Sequence, residues 1–347
     1  MQAHPYLLQR PAFSVVSLFS FFTVLFLLYS LPVNAQAANN MPQATNIEAP
    51  ELLAKMAEAT NTLNYASTLI VYRPGAEPVP YLWKHGIKDD VPVEMLSELN
   101  GPNAKTLRYG NQVSYFNPDM SAHSLLQSHI HGPFAHNLIR YPEAIATAYE
   151  VIVVGKSRVA GNEAWQVRVL SRDNSRYNYI LWVDAASFLP LKLNMVTAKG
   201  DLIEQVQATN LTITDTLDNA FVDMALKDLP AVMHINPPKS FRLNWGVTHL
   251  PLGMKQVKRD IHRLSITEDV VEYILLSDGM VDVSVYLQKA TYQQAEDVLF
   301  TKDAVTFLSR VTDNIQVSVV GKIPPATAQR IMQMIASVEA NDVQPNP

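Results

Sequence analysis

The sequence predicts an α+β protein in which one helix and a long curved antiparallel sheet are followed by a smaller α+β domain. Three observations carry this. Between Tyr65 and Ile213, β-rich runs succeed one another through short turns with no helix-length stretch joining them, which is how antiparallel strands connect and parallel strands do not. Pro230 and Pro237-Pro238 then interrupt the chain and place a domain boundary near residues 228–240, because proline cannot continue a helix or donate to a ladder. Beyond that point strand and helix patterns come in a second, shorter series with its own turn and cap signals.

Within the first domain, residues 47–228, Pro50 and Glu51 open a helix over Glu51–Leu63, whose Leu52, Leu53, Met56 and Leu63 recur at helical spacing; proline suits the first turn and a carboxylate there favours the helix dipole. Strands are expected at Tyr65–Tyr72, Tyr81–His85, Val113–Phe116, Tyr149–Val154, Ala164–Val169, Tyr177–Val183, Pro190–Val196 and Ile203–Ile213. The stretch His123–Ile139 breaks this pattern and reads as a lid-like segment, with Leu125, Leu126, Phe134, Leu138 and Ile139 available to cover the sheet. A helix over Asp218–Leu229 ends the domain. In the second domain, residues 235–340, Val270–Ser277, Met280–Lys289 and Ile315–Val320 read as strands, and Asp297–Leu308 and Thr327–Val338 as helices. Asp278-Gly279 reads as a two-residue hairpin turn with both residues at positive φ, and Pro324-Pro325 as a helix entry.

Ahead of these domains, Arg10 precedes an apolar run from Pro11 to Leu31, and Val33-Asn34-Ala35 offers small residues where signal peptidase reads. Residues 1–35 are therefore expected to be a cleaved signal peptide and the mature chain to be a soluble periplasmic protein. The chain has no cysteine, which excludes disulfides, thiol catalysis and an acylated N-terminal cysteine. Its formal net charge is −5, and nucleic-acid binders usually carry a basic face.

Several segments recur in a recognisable order. In the first half they are Gly110-Asn111-Gln112-Val113-Ser114-Tyr115-Phe116, Ser175-Arg176-Tyr177-Asn178-Tyr179-Ile180-Leu181-Trp182-Val183-Asp184 and Leu189-Pro190-Leu191. In the second half they are Phe241–Met254, Leu275–Val285 with its Ser277-Asp278-Gly279, and Val319–Ile331. Together they resemble the RseB/MucB family, periplasmic negative regulators of the sigma-E envelope stress response. After the Ser-Asp-Gly hairpin, Val281-Asp282 stands where the family usually has an aromatic or small residue. The resemblance implies an N-terminal half-barrel like that of the periplasmic lipoprotein carriers, with helices across its concave side. It implies binding to the periplasmic region of a membrane-bound anti-sigma factor, which would be shielded from regulated proteolysis. It also implies that lipid or lipopolysaccharide fragments weaken that binding. The rival reading is a periplasmic lipoprotein or lipid carrier, which needs only the first domain. Self-association stays open.

No cofactor, metal or catalytic residue is assigned. No Gly-x-Ser-x-Gly, His-Glu-x-x-His, phosphate-binding Gly-rich loop or Gly-x-Gly occurs, so the reading is non-enzymatic. His123, His129, His131 and His136 cluster in sequence without cysteine or a nearby set of carboxylates, and a solvated or partly buried loop accounts for them as well as a metal does. Leu69, Val71, Tyr115, Phe116, Tyr179 and Leu181 are candidates for a lipid cavity, against the alternative of an ordinary filled core. Trp245, Leu250, Pro251 and Met254 are candidates for partner binding because the matching segment belongs to the family's peptide-binding domain, and burial in a small core is the alternative.

Overall fold

The computed structural model describes residues 47–233, 245–263, 270–290, 297–312 and 314–337. The expected signal peptide, its cleavage site, most of the inter-domain proline stretch and Val338 lie outside these residues. Residues 47–347 form one compact unit. Among the described residues, no helix is long and apolar enough to cross a membrane.

Helix α1 (Ala49–Thr62) precedes β1 (Asn64–Tyr72), β2 (Val79–Lys88), β3 (Val91–Glu98), β4 (Lys105–Tyr109), β5 (Gln112–Asn117) and β6 (Met120–Leu126); the chain then crosses through α2 (His136–Arg140) and a 3-10 turn at Pro142–Ile145. It returns as β7 (Tyr149–Val159), β8 (Asn162–Ser171), β9 (Asn178–Asp184), β10 (Pro190–Val196) and β11 (Leu202–Thr214). These strands form one open antiparallel sheet of eleven, ordered β6-β5-β4-β3-β2-β1-β11-β10-β9-β8-β7. The first strand therefore pairs with the last, and the crossover through α2 separates two meanders that meet at β1–β11.

Alternation decides which face is covered. In β1, Tyr65, Ser67, Leu69 and Val71 point inward and the residues between them do not, as a period of two requires. Helix α1 lays Leu52, Leu53 and Met56 onto this face, α2 adds Leu138 and Ile139, and the sheet answers with Leu69, Val167, Leu181 and Leu191. Each such fully buried leucine contributes about 2 kcal/mol of transfer free energy.

The second sheet is built from β13 (Lys255–Arg263), β14 (Val270–Ser277), β15 (Asp282–Lys289), β16 (Val298–Lys302), β17 (Val305–Thr312) and β18 (Ile315–Gly321), ordered β13-β14-β15-β18-β17-β16. Helix α4 (Pro325–Gln333) places Ala328, Ile331 and Met332 against Ile274, Leu276, Val283, Val285 and Val319. A two-stranded ribbon of β12 (Trp245–Val247) and β19 (Ile335–Ser337) completes this half. The short helix α3 (Asn219–Val222) lies between the sheets in sequence.

Four expectations are corrected. Asp297–Leu308 is not a helix but the β16–β17 hairpin. Its turn is Asp303-Ala304, with φ of 52° and 67°, the two-residue conformation usually given to Asn-Gly. Asp278-Gly279 is not such a turn: of the pair only Gly279 has positive φ, at 88°, and Ser277 pairs with Asp282 around a four-residue loop. The Asp278 carboxylate accepts from the backbone N–H groups of Met280 and Val281 at 2.9 and 2.8 Å, which closes that loop. Asp218–Leu229 shortens to α3, capped by Asp218 accepting from the Ala220 N–H, and a 3-10 turn at Leu226–Asp228. The helix expected over Thr327–Val338 stops at Gln333, and Ile335 begins β19. Strands β3, β4, β6, β12 and β13 were not anticipated. Segment His123–Ile139 begins as the end of β6 and becomes irregular only after Leu126.

Candidate functional site

The concave face of the large sheet is filled at one end and open at the other. At the filled end, Leu69 and Leu181 have no accessible surface. Leu193 pairs with Leu181 and with Val206, and one alternation further along lie Tyr179 and Met195; Tyr179, Leu193, Met195 and Val206 line a cleft of about 420 Å³. Its other walls are the segment His129–Asn137 and, from the second domain, Gly279–Asp282 and Lys322. The cleft thus needs both domains. Its floor is apolar, and Met280 packs against the cores of both halves. Glu204 stands at its margin between two cations, with the Arg73 guanidinium at 2.7 Å and the Lys322 ammonium at 3.3 Å. Burial pushes the Tyr179 phenol up, so it stays neutral at the floor.

The second domain is held at this cleft by a buried ion pair. Arg176, in the turn before β9, donates from Nε to Asp278 Oδ2 at 2.6 Å, and both side chains are fully buried. Its remaining nitrogens donate to Asp173 at 3.2 Å and to the Leu252 carbonyl at 2.8 Å. Asp173 in turn accepts from the Leu252 N–H at 3.0 Å, and Thr327 donates to the Ser175 carbonyl at 2.7 Å. Burial alone would raise the Asp173 carboxyl, but the Ser175 hydroxyl, the Leu252 and Ser175 N–H groups and Arg176 hold it at about 2. Two glycines let the backbones approach. A Cβ on Gly253, φ 77°, would come 3.0–3.3 Å from atoms of Ala148, and one on Gly279 would meet the Ala144 Cβ at 3.2 Å. Asn137 also donates to the Gly279 carbonyl.

A second buried charge cluster lies beneath the other wall. Glu94 on β3 accepts from the Trp83 indole at 2.7 Å, from Arg140 at 2.9 Å and from Arg108 at 3.3 Å. Sequence reasoning did not find either cluster. Strand periodicity carried no signal for them: on β3 the adjacent Val93 and Glu94 are both buried, and Arg176 and Asp278 lie in turns.

The anticipated site residues divide. Tyr179 lines the cleft. Leu69, Val71 and Leu181 belong to the filled core. Tyr115 and Phe116 lie on β5, half-buried, where Tyr115 donates to Gln127 at 2.5 Å and Lys105 sits over the Phe116 ring at 5.5 Å; the fully buried residues of that strand are Val113 and Ser114. Of the partner candidates, Pro251 and Met254 are buried, and Trp245 and Leu250 pack against the second core while keeping some exposed surface. A separate apolar groove of about 630 Å³ runs between α1 and the Pro142–Ala146 turn, lined by Leu53, Ala57, Tyr149 and Val151.

Comparison with known proteins matches this architecture along its length. The model of the MucB/RseB N-terminal domain matches residues 48–233 and that of the MucB/RseB C-terminal domain residues 239–336. The Sigma-E factor regulatory protein RseB of Salmonella typhimurium is 29% identical over 286 residues, 82% of this chain and 89% of the relative. The Sigma factor AlgU regulatory protein MucB of Pseudomonas aeruginosa is 26% identical over 298 residues, 84% and 92% of the two chains. The complex structure of Pseudomonas aeruginosa MucA/MucB superposes with a TM-score of 0.70 at 24% identity, covering 85% of this chain and all of that one, and so shares the fold. With both of its domains matched in order, the chain belongs to the MucB/RseB family.

Proposed function

We propose that this protein is a periplasmic negative regulator of a sigma-E-type stress response, binding the periplasmic region of a membrane-bound anti-sigma factor in the inter-domain cleft. The observation that carries this is the composition of the cleft: an apolar floor from the first domain, a hairpin from the second, and charged margins at Glu204 and Lys322. An extended or helical peptide with apolar anchors fits such a groove. Family membership supports the same reading, and the Pseudomonas aeruginosa relative has been solved in complex with MucA. A partner held there would be withheld from the protease that starts sigma release. Lipid or lipopolysaccharide fragments reaching the same apolar surface would weaken capture by the difference in their affinity for free and bound forms. The two domains, near residues 47–228 and 235–340, divide the work: the first supplies the apolar floor and the second the hairpin that completes it.

The carrier reading remains the alternative. It predicts lipid transfer without dependence on the second domain, whereas the cleft uses Gly279–Asp282 and Lys322. The test is capture of the purified periplasmic region of the anti-sigma factor by the mature chain, with and without lipopolysaccharide. Met280→Glu should weaken capture at least tenfold with the fold intact. Unchanged capture by this variant would remove the cleft from the reading, and equal capture with and without lipopolysaccharide would remove the sensing.

A further inference from the structure

Two imidazoles stack on the wall of the cleft and a third meets them edge-on. The rings of His129 and His136 lie 3.6 Å apart between centroids and 17° from parallel, and the His131 ring meets His129 at 4.9 Å. Among the described residues, no three donors are placed to hold a metal ion, so ring packing and not coordination describes the cluster. The Nε2 atom of His136 is enclosed without a hydrogen-bond partner, an arrangement that suits a neutral imidazole and penalises a charged one.

The surroundings penalise a charge further. Beneath the rings lie two buried guanidiniums, Arg108 of β4 and Arg140 of α2, sharing the single carboxylate of Glu94 on β3. Beside that cluster His85 of β2 is itself buried, and the Tyr141 ring meets His136 at 5.5 Å. Across the cleft the facing groups are Lys322 of the second domain, already paired with Glu204, and Asp282. At its centre the segment buries Ile130 and Phe134, the latter against the Trp83 ring at 5.8 Å.

We propose that the segment Ser128–His136 is an acid-released cover over the cleft, lying against the sheet while its stacked imidazoles are neutral and lifting when they take up protons. Burial first, then His129 and Arg140, holds the His136 imidazole down at about 2, and burial likewise lowers His129. In the lifted state a solvated histidine returns to about 6.5. A group whose pKa is depressed in the closed state favours closure above the open-state value and loses that contribution as pH falls below it. From pH 7.5 to 5.0, His136 alone therefore raises the opening constant about thirty-fold. The proposal goes beyond the partner-binding reading and does not depend on it, since it concerns only the free chain.

Hydrogen exchange of the full mature protein at pH 7.5 and 5.0, corrected for the intrinsic pH dependence of exchange, tests it. The amide of Ile139, which donates to the Ala135 carbonyl of the segment, should lose protection about thirty-fold, while those of β8 and β9 keep theirs, and Trp83 emission should shift to the red over the same range. The double variant His129→Phe with His136→Phe keeps flat rings without titration and should abolish the response. His136→Gln, a polar uncharged replacement, should reduce it if the double variant does not fold. Unchanged protection in the wild type, or the same acid response in the variants, overturns the proposal.

Discussion

The two ends of the concave sheet face are made of the same residue types and do different things. At one end Leu69, Val183, Leu191 and Ala208 are sealed by α1 and α2. At the other, Tyr179, Met195 and Val206 meet the space that the second domain only partly closes. The difference lies in what sits above them. Strand alternation makes an apolar face, but the position of the covering helices decides whether that face is core or site.

The largest expected effect comes from charging the sealed end. Leu181 lies between Val167 and Leu193 in the ladder with no accessible surface, so Leu181→Asp places an unpaired carboxylate in a dry core and should cost several kcal/mol. Circular dichroism of the purified variant should show loss of cooperative unfolding. A stably folded Leu181→Asp protein with reduced lipid binding would move the sealed end into the site and erase the contrast.

Next is the buried pair joining the halves. Asp278→Asn leaves Arg176 with Asp173 and the Leu252 carbonyl but without its fully buried counter-charge, and should destabilise by about 3–5 kcal/mol in urea unfolding. The second half nonetheless has an apolar cluster of its own, with Ile274, Leu276, Val283, Val285 and Val319 beneath Ala328, Ile331 and Met332. A fragment of residues 235–340 should therefore still unfold cooperatively, and a molten fragment would show that the interface, not the core, organises that half.

The pH dependence of stability supplies a further test. His85 is held at about 4 by burial and by Arg140, partly opposed by Glu94. Its neutral form belongs to the fold, so stability is intact above about 6.5 and declines as pH falls toward 4, by about 3 kcal/mol in all. His85→Gln should flatten this part of the profile, measured as urea midpoints between pH 7 and 4.

Much of this architecture is legible in the sequence, and the misreadings have specific causes. The inward positions of β1 follow from strict alternation, and α1 from its spacing and proline. The β16–β17 hairpin was hidden because Val298, Leu299, Phe300, Phe307 and Leu308 satisfy a helical spacing as readily as a strand run, and its turn carries Asp303-Ala304 in place of a glycine pair. Strand β3 was missed for a related reason: Asp89-Asp90, φ 50° and 63°, forms the turn before it without Asn or Gly. The cleft was half legible. Alternation nominated Tyr179 together with Leu181, but nothing in one strand says where a helix from elsewhere in the chain ends.

The smallest expected effect on stability, and the one that sharpens the contrast between the two ends, is at the hairpin. Gly253 and Gly279 both bring the second domain against the turn before β7, but they differ in what a methyl group would meet. At Gly253 it would press on the backbone N and Cα of Ala148 at 3.1 and 3.3 Å, whereas at Gly279 the nearest atom is the Ala144 Cβ at 3.2 Å and the others are more than 3.5 Å away. Both positions require positive φ, so each alanine carries a backbone cost of about 1 kcal/mol. Gly253→Ala should add a steric cost of similar size and Gly279→Ala much less. Thermal unfolding should therefore rank Gly279→Ala above Gly253→Ala in stability. Capture of the anti-sigma segment should rank them the other way, since Gly279 lines the cleft and Gly253 does not. The same order in both measurements would mean that the hairpin acts only as a structural joint.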